Sequence, residues 1–332
     1  MNQLKEALYY EKLGGGRVQC ALCPHRCVIS EGKRGLCRAR KNEGGKLYSL
    51  IHGRVTSVAM DPVEKKPLYH FHPGCQILSL GTTGCNFACP FCLNYTIAQS
   101  DCPTQPLSSQ QAIDAALEHD SIGIAYTYNE PFIWFEYVLE TAKLARERGL
   151  KNVLVSNGYV LQEPLKELLP FIDALNIDIK SIRPEFYAQL CRGRLEHVLE
   201  TCKTASRAAL VEITNLVIPG HNDTDAEFEQ MARWLADNLG RQTPMHLSAY
   251  HPCHKMTAPP TPAATLERAF DIFAAQLNYV YLGNLRSSKG SHTACKSCNT
   301  VLIERLGYHT RLAGLASDGT CAKCGAGNNI VV

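Results

Sequence analysis

The chain has 332 residues, 45% hydrophobic and 20% charged, with a net charge of +3. That composition excludes disorder as the default, and the near-balanced charge gives no argument for nucleic acid. No apolar run is long enough to cross a bilayer, and the polar start, Met1–Lys12, carries no secretion pattern, so the expectation is a cytoplasmic protein of one full-size domain with one or two small modules.

The first region, residues 1–72, is glycine-rich and basic and holds Cys20, Cys23, Cys27 and Cys37. Thiols at C-x2-C-x3-C-x9-C spacing suit zinc or a second, fully ligated [4Fe–4S] cluster, with zinc slightly ahead. The competing reading is that only some of them ligate and the rest pack. Lys33, Arg34, Arg38, Arg40 and Lys41 surround the set and read as a solvated face, which could also dock an acidic partner or a reductant. Lys65, Lys66, His70 and His72 read equally as a surface linker or as a segment that reaches substrate.

From 73 to 286 strand-like and helix-like segments alternate. Gln76–Leu80 reads as a short buried strand, Ser109–His119 as a helix capped by Ser108 or Ser109, and Ile122–Thr127 as a strand. Pro131–Arg148 has the period of a long amphipathic helix with Gly149 just past its end. Asn152–Val155, Ala174–Ile179, Leu210–Ile218, Met245–Ala249 and Tyr279–Leu282 read as further strands. Helices are expected at Glu163–Phe171, twice within Glu185–Arg207, at Ala226–Asn238 and at Pro262–Leu277. Such alternation predicts an α/β fold, an incomplete parallel (β/α)6-type barrel of six or seven units, with its chemistry at the C-terminal ends of the strands. The polar groups collect at those ends: Gly84–Cys92, Tyr128–Glu130, Ser156–Gly158, Asp178–Lys180, His221–Asp223 and His251.

The distinctive string is Cys85-Asn-Phe-Ala-Cys89-Pro-Phe-Cys92, a CxxxCxxC loop directly after a strand. A fully ligated [4Fe–4S] cluster takes four thiolates; three leave one iron open to bind a substrate. On an open iron, S-adenosylmethionine (SAM) is cleaved by one electron to a 5′-deoxyadenosyl radical. Phe91, between the last two cysteines, can shield such a site from water. The competing reading is a structural metal site or buried free thiols.

With its flanking strings the chain resembles radical SAM enzymes similar to pyruvate formate-lyase activating enzyme, and within that group those of the AmmeMemoRadiSam system. The strings are Lys66-Pro67-Leu68-Tyr69-His70-Phe71-His72-Pro73-Gly74, Thr127-Tyr128-Asn129-Glu130-Pro131, Ser156-Asn157-Gly158-Tyr159, Asp178-Ile179-Lys180, Ile218-Pro219-Gly220-His221-Asn222-Asp223 and Tyr281-Leu282-Gly283-Asn284. The resemblance implies that Glu130 lies where the SAM amino group is bound, although Tyr-Asn-Glu replaces the usual Gly-Gly-Glu. It implies that Asn157 lies near SAM, that Asp178 and Lys180 touch its ribose and carboxylate region, and that His251 lies near the ribose. Ser156 stands in place of an aspartate that elsewhere builds a cation site, and Thr214 in place of an arginine. The implied reaction is hydrogen abstraction from an unidentified substrate, either a protein that receives a glycyl radical, or a small molecule or RNA. The implied electron donor is a flavodoxin or ferredoxin, with no membrane partner and no indication of nucleic acid. An alternative of another class is a metal-dependent binding scaffold without turnover.

The last region, 287–332, carries Cys295-x2-Cys298 and Cys321-x2-Cys324 with 22 residues between the pairs. Two such knuckles place four thiolates at the corners of a tetrahedron, so a structural zinc ribbon is expected. The scattered Cys75, Cys102, Cys191, Cys202 and Cys253 read as small buried hydrophobes.

Overall fold

The computed structural model describes residues 4–285, 287 and 289–332. Its centre is an eight-stranded sheet: β1 (Ser57–Pro62), β2 (Gln76–Gly81), β3 (Gly123–Tyr126), β4 (Lys151–Ser156), β5 (Ala174–Asp178), β6 (Leu210–Val217), β7 (Met245–Ala249) and β8 (Val280–Gly283). Strands β2 to β8 run parallel and lie side by side in chain order. These strands read as near-continuous runs of buried residues, as parallel strands covered on both faces do. The sequence predicted all seven. It did not predict β1, which pairs antiparallel with β2 from Ser57 opposite Gly81 to Pro62 opposite Gln76. Its polar Ser57 and Asp61 and its terminal Pro62 hide the strand pattern, and proline is tolerated there because β1 is an edge strand.

Helices fill the crossovers at Ser109–Glu118, Phe135–Glu147, Gln162–Leu168, Leu195–Ala205, Asp225–Asn238 and Ala263–Ala274. Ser108 caps the first with a reciprocal capping box to Gln111. The expected single helix from Pro131 divides into a tight turn, Pro131–Trp134, and then Phe135–Glu147, because Glu130 caps the turn by accepting from Phe132 N. The first of the two helices expected after Glu185 is a short turn running into a π-helical stretch, Tyr187–Cys191, which ends with Arg192 in the left-handed region.

Before the sheet lie two three-stranded sheets: Lys5–Glu6, Lys46–Ser49 and Arg40–Glu43 in one; Tyr10–Lys12, Val18–Cys20 and Val28–Ile29 in the other. Their buried residues Val18, Ile29 and Leu47 share one core with Phe132, Trp134 and Phe135. After the sheet, Thr293–Ala294, Val301–Leu306 and His309–Leu312 form an antiparallel sheet over a small separate core of Cys295, Leu302, Ile303, Cys321 and Ile330. Among the described residues no helix is long and apolar enough to cross a membrane.

The segment between β1 and β2 is buried, not a surface linker. Glu212, fully buried near the start of β6, accepts from Tyr69 N (3.0 Å), His70 N (2.7 Å) and His246 Nε2 (2.6 Å). His70 also meets Tyr281 Oη (2.7 Å) and the Asn329 carbonyl (3.1 Å), and Arg305 donates to the Tyr69 carbonyl (2.6 Å) and Thr293 Oγ1 (2.8 Å). Lys66, 1% exposed, donates to Asp61 Oδ2 (2.6 Å). His70 therefore serves packing at the sheet's N-terminal edge, away from the cysteine loop.

Candidate active site

The cysteine loop begins where β2 ends. Asn129 holds its first turn from the neighbouring strand end, accepting from Thr82 N (3.0 Å) and donating to the Gly84 carbonyl (3.0 Å). Gly84 has φ +97°, and a Cβ there would lie 2.5 Å from the Cys37 carbonyl, so only glycine lets the loop pass. The three thiols follow at once. Cys85 Sγ accepts from Phe87 N (3.3 Å) and lies 3.6 Å from Asn157 Nδ2. Cys89 is buried, and Phe91, 4% exposed, packs on Phe186 with ring centres 5.8 Å apart.

Glu130 organises the next strand end. It is 1% exposed, and its carboxylate accepts from Phe132 N (3.0 Å), Ser156 Oγ (2.8 Å) and Asn157 N (2.8 Å). Burial pushes its pKa up to about 7, against the opposing effect of those three donors. Ser156, where the resembled enzymes carry an aspartate, is thus a donor to Glu130; a second carboxylate there would repel it. Asn157, fixed through its backbone, donates to Asn86 Oδ1 (2.9 Å), and Asn86 donates to the Tyr159 carbonyl (2.7 Å). Glu130 therefore acts on the cysteine loop through Asn157, as a positioning residue, with its oxygens already occupied by protein donors.

Asp178 closes β5, and its Oδ2 lies 3.1 Å from Lys180 Nζ. Burial lowers the lysine's affinity for its proton, but Asp178, Cys89 and Cys191 together outweigh it and hold the ammonium charged. Its backbone is pinned by Asn222, which donates to the Lys180 carbonyl (2.7 Å), and by the Tyr187 hydroxyl, which accepts from Lys180 N (3.0 Å). Lys180 Nζ sits 5.9 Å from the centre of the Phe91 ring, above the loop. Thr214 donates to Asn176 Oδ1 (2.9 Å) inside the sheet. His251 is exposed just beyond β7, with no hydrogen bond to the other site residues among the described contacts. The structure thus brings Cys85, Cys89, Glu130, Asn157, Asp178 and Lys180 into one linked set, and leaves His251 at its margin.

Two cysteines read as packing residues join this set. Cys191 lies beside Cys89, and its carbonyl accepts from Ala88 N (3.1 Å); Cys253 Sγ approaches the Cys92 carbonyl (3.6 Å). Neither has a local motif; the π-helical stretch that delivers Cys191 has no period readable in the sequence.

At the other end of the chain, Cys295 Sγ lies 3.6 Å from Cys324 Sγ, and Cys298 Sγ 3.6 Å from Cys321 Sγ. All four ligand atoms fall within 4.8 Å of one another. The N-terminal four surround a common pocket. Arg40 there is not part of a solvated face. It is 1% exposed and donates to both oxygens of the equally buried Glu136 (2.9 and 2.8 Å), because the strand Arg40–Glu43 lies against the helix Phe135–Glu147. A broad surface concavity around Lys151, Asp173 and Arg207 lies at the opposite edge of the sheet, so size does not locate the chemistry.

Comparison with known proteins agrees with this geometry. The Radical SAM superfamily model matches residues 79–235, which include the cysteine loop and four of the strand ends around it. An uncharacterised protein of Methanocaldococcus jannaschii is 42% identical over 336 residues, covering 99% of this chain and 100% of that protein. The (2S)-3-sulfopropanediol dehydratase activating enzyme of Klebsiella oxytoca is 25% identical over 124 residues, 37% of this chain and 39% of that enzyme. The crystal structure of a radical SAM methyltransferase from Sphaerobacter thermophilus shares the fold with a TM-score of 0.53 at 18% identity, over 70% of this chain and 71% of that one. With a cysteine loop, a parallel sheet and relatives of this kind, the chain belongs to the radical SAM superfamily.

Proposed function

We propose that this protein is a radical SAM activating enzyme of the AmmeMemoRadiSam type, built on an incomplete parallel barrel, whose [4Fe–4S] cluster is held by Cys85, Cys89 and Cys92. The observation that carries the reading is the convergence of Asn157, Asp178 and Lys180, from separate strand ends, on one three-thiol loop. The donor set fits the group: three soft thiols on one short loop, one of them receiving two N–H donors, with the partly exposed ammonium of Lys180 beside them. When bound, the cluster and SAM supply one-electron cleavage of a carbon–sulfur bond and a 5′-deoxyadenosyl radical. The chain's own residues do the rest. Lys180 offsets the negative charge of SAM's carboxylate and the thiolates. Asp178 accepts from the ribose hydroxyls. Asn157 is held at Cys85 by Glu130, and Phe91 excludes water. His251, exposed just beyond β7, is the residue assigned to the ribose side by the resemblance alone.

The substrate we infer is a protein, activated by hydrogen abstraction of the glycyl-radical type. Leu93, 78% exposed directly after Cys92, and Leu36, 69% exposed before Cys37, give the loop an apolar rim suited to a peptide. The named activating-enzyme relative supports the same class. The electron comes from a flavodoxin or ferredoxin. Cys295, Cys298, Cys321 and Cys324 hold zinc in a closed ribbon: a tetrahedron with Zn–S near 2.3 Å has edges of about 3.8 Å, close to the observed sulfur pairs. The organisation is then 1–72, 73–286 and 287–332 as cysteine module, barrel and ribbon.

The test is anaerobic reconstitution with iron and sulfide, then SAM and dithionite, with 5′-deoxyadenosine as readout. Wild type should produce it and Cys85→Ala should not; equal production by both sinks the cluster assignment. Deuterium should pass into 5′-deoxyadenosine from a deuterated protein partner. Transfer only from small molecules or RNA would reject the protein-substrate reading.

A further inference from the structure

Four cysteines outside the SAM site remain without a role. Cys20 ends the strand Val18–Cys20, Cys23 and Cys27 flank the turn after it, and Cys37 comes from the loop leading into Arg40–Glu43. All four side chains line one buried pocket, and none is in a disulfide. Arg40 lines the same pocket. Its Nη atoms are taken by Glu136 and the Ile133 carbonyl, but its Nε, buried in a side chain 1% exposed, has no partner. A buried donor left open beside four thiols marks a site for an anionic thiolate-bound group.

The spread of the sulfurs separates the two groups that four thiolates could hold. Zinc sits at the centre of one tetrahedron and needs its sulfurs about 3.8 Å apart. In a cubane each thiolate caps a different iron, so the sulfurs stand farther apart than a zinc tetrahedron allows. Among the described residues, the C-terminal four are the set whose ligand atoms all fall within 4.8 Å of one another. The N-terminal four do not meet that distance, and neither do Cys85, Cys89 and Cys92. The N-terminal set therefore falls with the loop proposed to carry a cluster, outside the tight grouping of the knuckles.

We propose that Cys20, Cys23, Cys27 and Cys37 hold a second, fully ligated [4Fe–4S] cluster, set directly against the catalytic loop. The two sites touch. The Cys37 carbonyl is the group that leaves no room for a side chain at Gly84, one residue before Cys85. Asn86, which accepts from Asn157 on the SAM side, also lines the N-terminal pocket, and its carbonyl meets His25 Nε2 at 2.7 Å. A group in this pocket is thus fixed to the loop by His25, Asn86 and Cys37, with no mobile segment between.

The test counts metals in the full chain after anaerobic reconstitution and records electron paramagnetic resonance of the reduced protein with and without SAM. Wild type should hold about eight irons and about eight sulfides. The triple variant Cys85→Ala, Cys89→Ala, Cys92→Ala should keep about four of each, with a reduced-cluster signal that SAM does not change. A Cys20→Ser, Cys23→Ser, Cys27→Ser, Cys37→Ser variant should lose that half and keep a SAM-responsive signal. If the quadruple variant fails to fold, the triple variant still decides, because its N-terminal region is native. An iron-free triple variant overturns the proposal, whether zinc takes the place of the iron or the site stays metal-free. The outcome is independent of the catalytic reading: that reading fails if wild type makes no 5′-deoxyadenosine, whatever iron the triple variant holds.

Discussion

Replacing Glu130 with glutamine tests whether this buried carboxylate holds the site together as described. Its folded-state pKa of about 7 stands above the ordinary 4.5 because burial outweighs three donors. A group raised in this way binds its proton more tightly in the folded chain, so its stabilising contribution is full below about pH 4.5 and is lost as pH rises through about 7. At 1.36 kcal/mol per unit, the swing is about 3 kcal/mol, of which roughly 2–3 falls between about pH 5 and pH 8. Glu130→Gln removes the titration and sets an amide NH2 against one of Phe132 N, Asn157 N or Ser156 Oγ, at a cost of about 1–3 kcal/mol for the unsatisfied donor. The assay is urea unfolding of cluster-free wild type and variant across that pH range, taken as a difference so that shared titrations cancel. Wild type should lose its advantage over the variant as pH rises. A difference that stays constant from about pH 5 to pH 8 would refute the buried, three-donor description of this residue.

Removing one partner of the Arg40–Glu136 pair, as Arg40→Ala, leaves a buried carboxylate uncompensated and should cost about 3–5 kcal/mol by urea denaturation; the paired change Arg40→Met, Glu136→Leu should cost much less. Asp178→Ala and Lys180→Ala should each weaken SAM binding roughly ten- to a hundredfold at unchanged iron content, read by calorimetric titration; normal affinity in both would refute their assignment. Cys298→Ser should release the C-terminal zinc and lower the melting temperature without changing the iron count, checked by metal analysis and calorimetry; unchanged zinc would contradict the closed tetrahedron.

The parallel sheet was legible because its strands are buried on both faces and punctuated by helices of clear period. What stayed hidden depends on partners far along the chain. β1 is polar and short, and becomes a strand only by pairing with β2. Arg40 belongs to a charged run, and only a helix about a hundred residues later makes it a buried residue. Glu130 was found from its string, but its three donors come from a cap and a neighbouring strand end that no local spacing encodes. Cys191 and Cys253 had no pattern at all, because a π-helical turn and an irregular loop carry them to the cysteine loop.

The segment from Glu64 to His72 lies between two parts of the chain made at very different times. On one side it meets Glu212 and Tyr281; on the other, Arg305 and Thr310, with Val331 bonding to both His70 and His72. During synthesis, then, this early segment cannot reach its final bonding until Arg305, Thr310 and Val331 have been made. A chain truncated before Thr293 would carry Tyr69 and His70 with their polar atoms unsealed, a mark by which proteolysis can find copies that lack this segment.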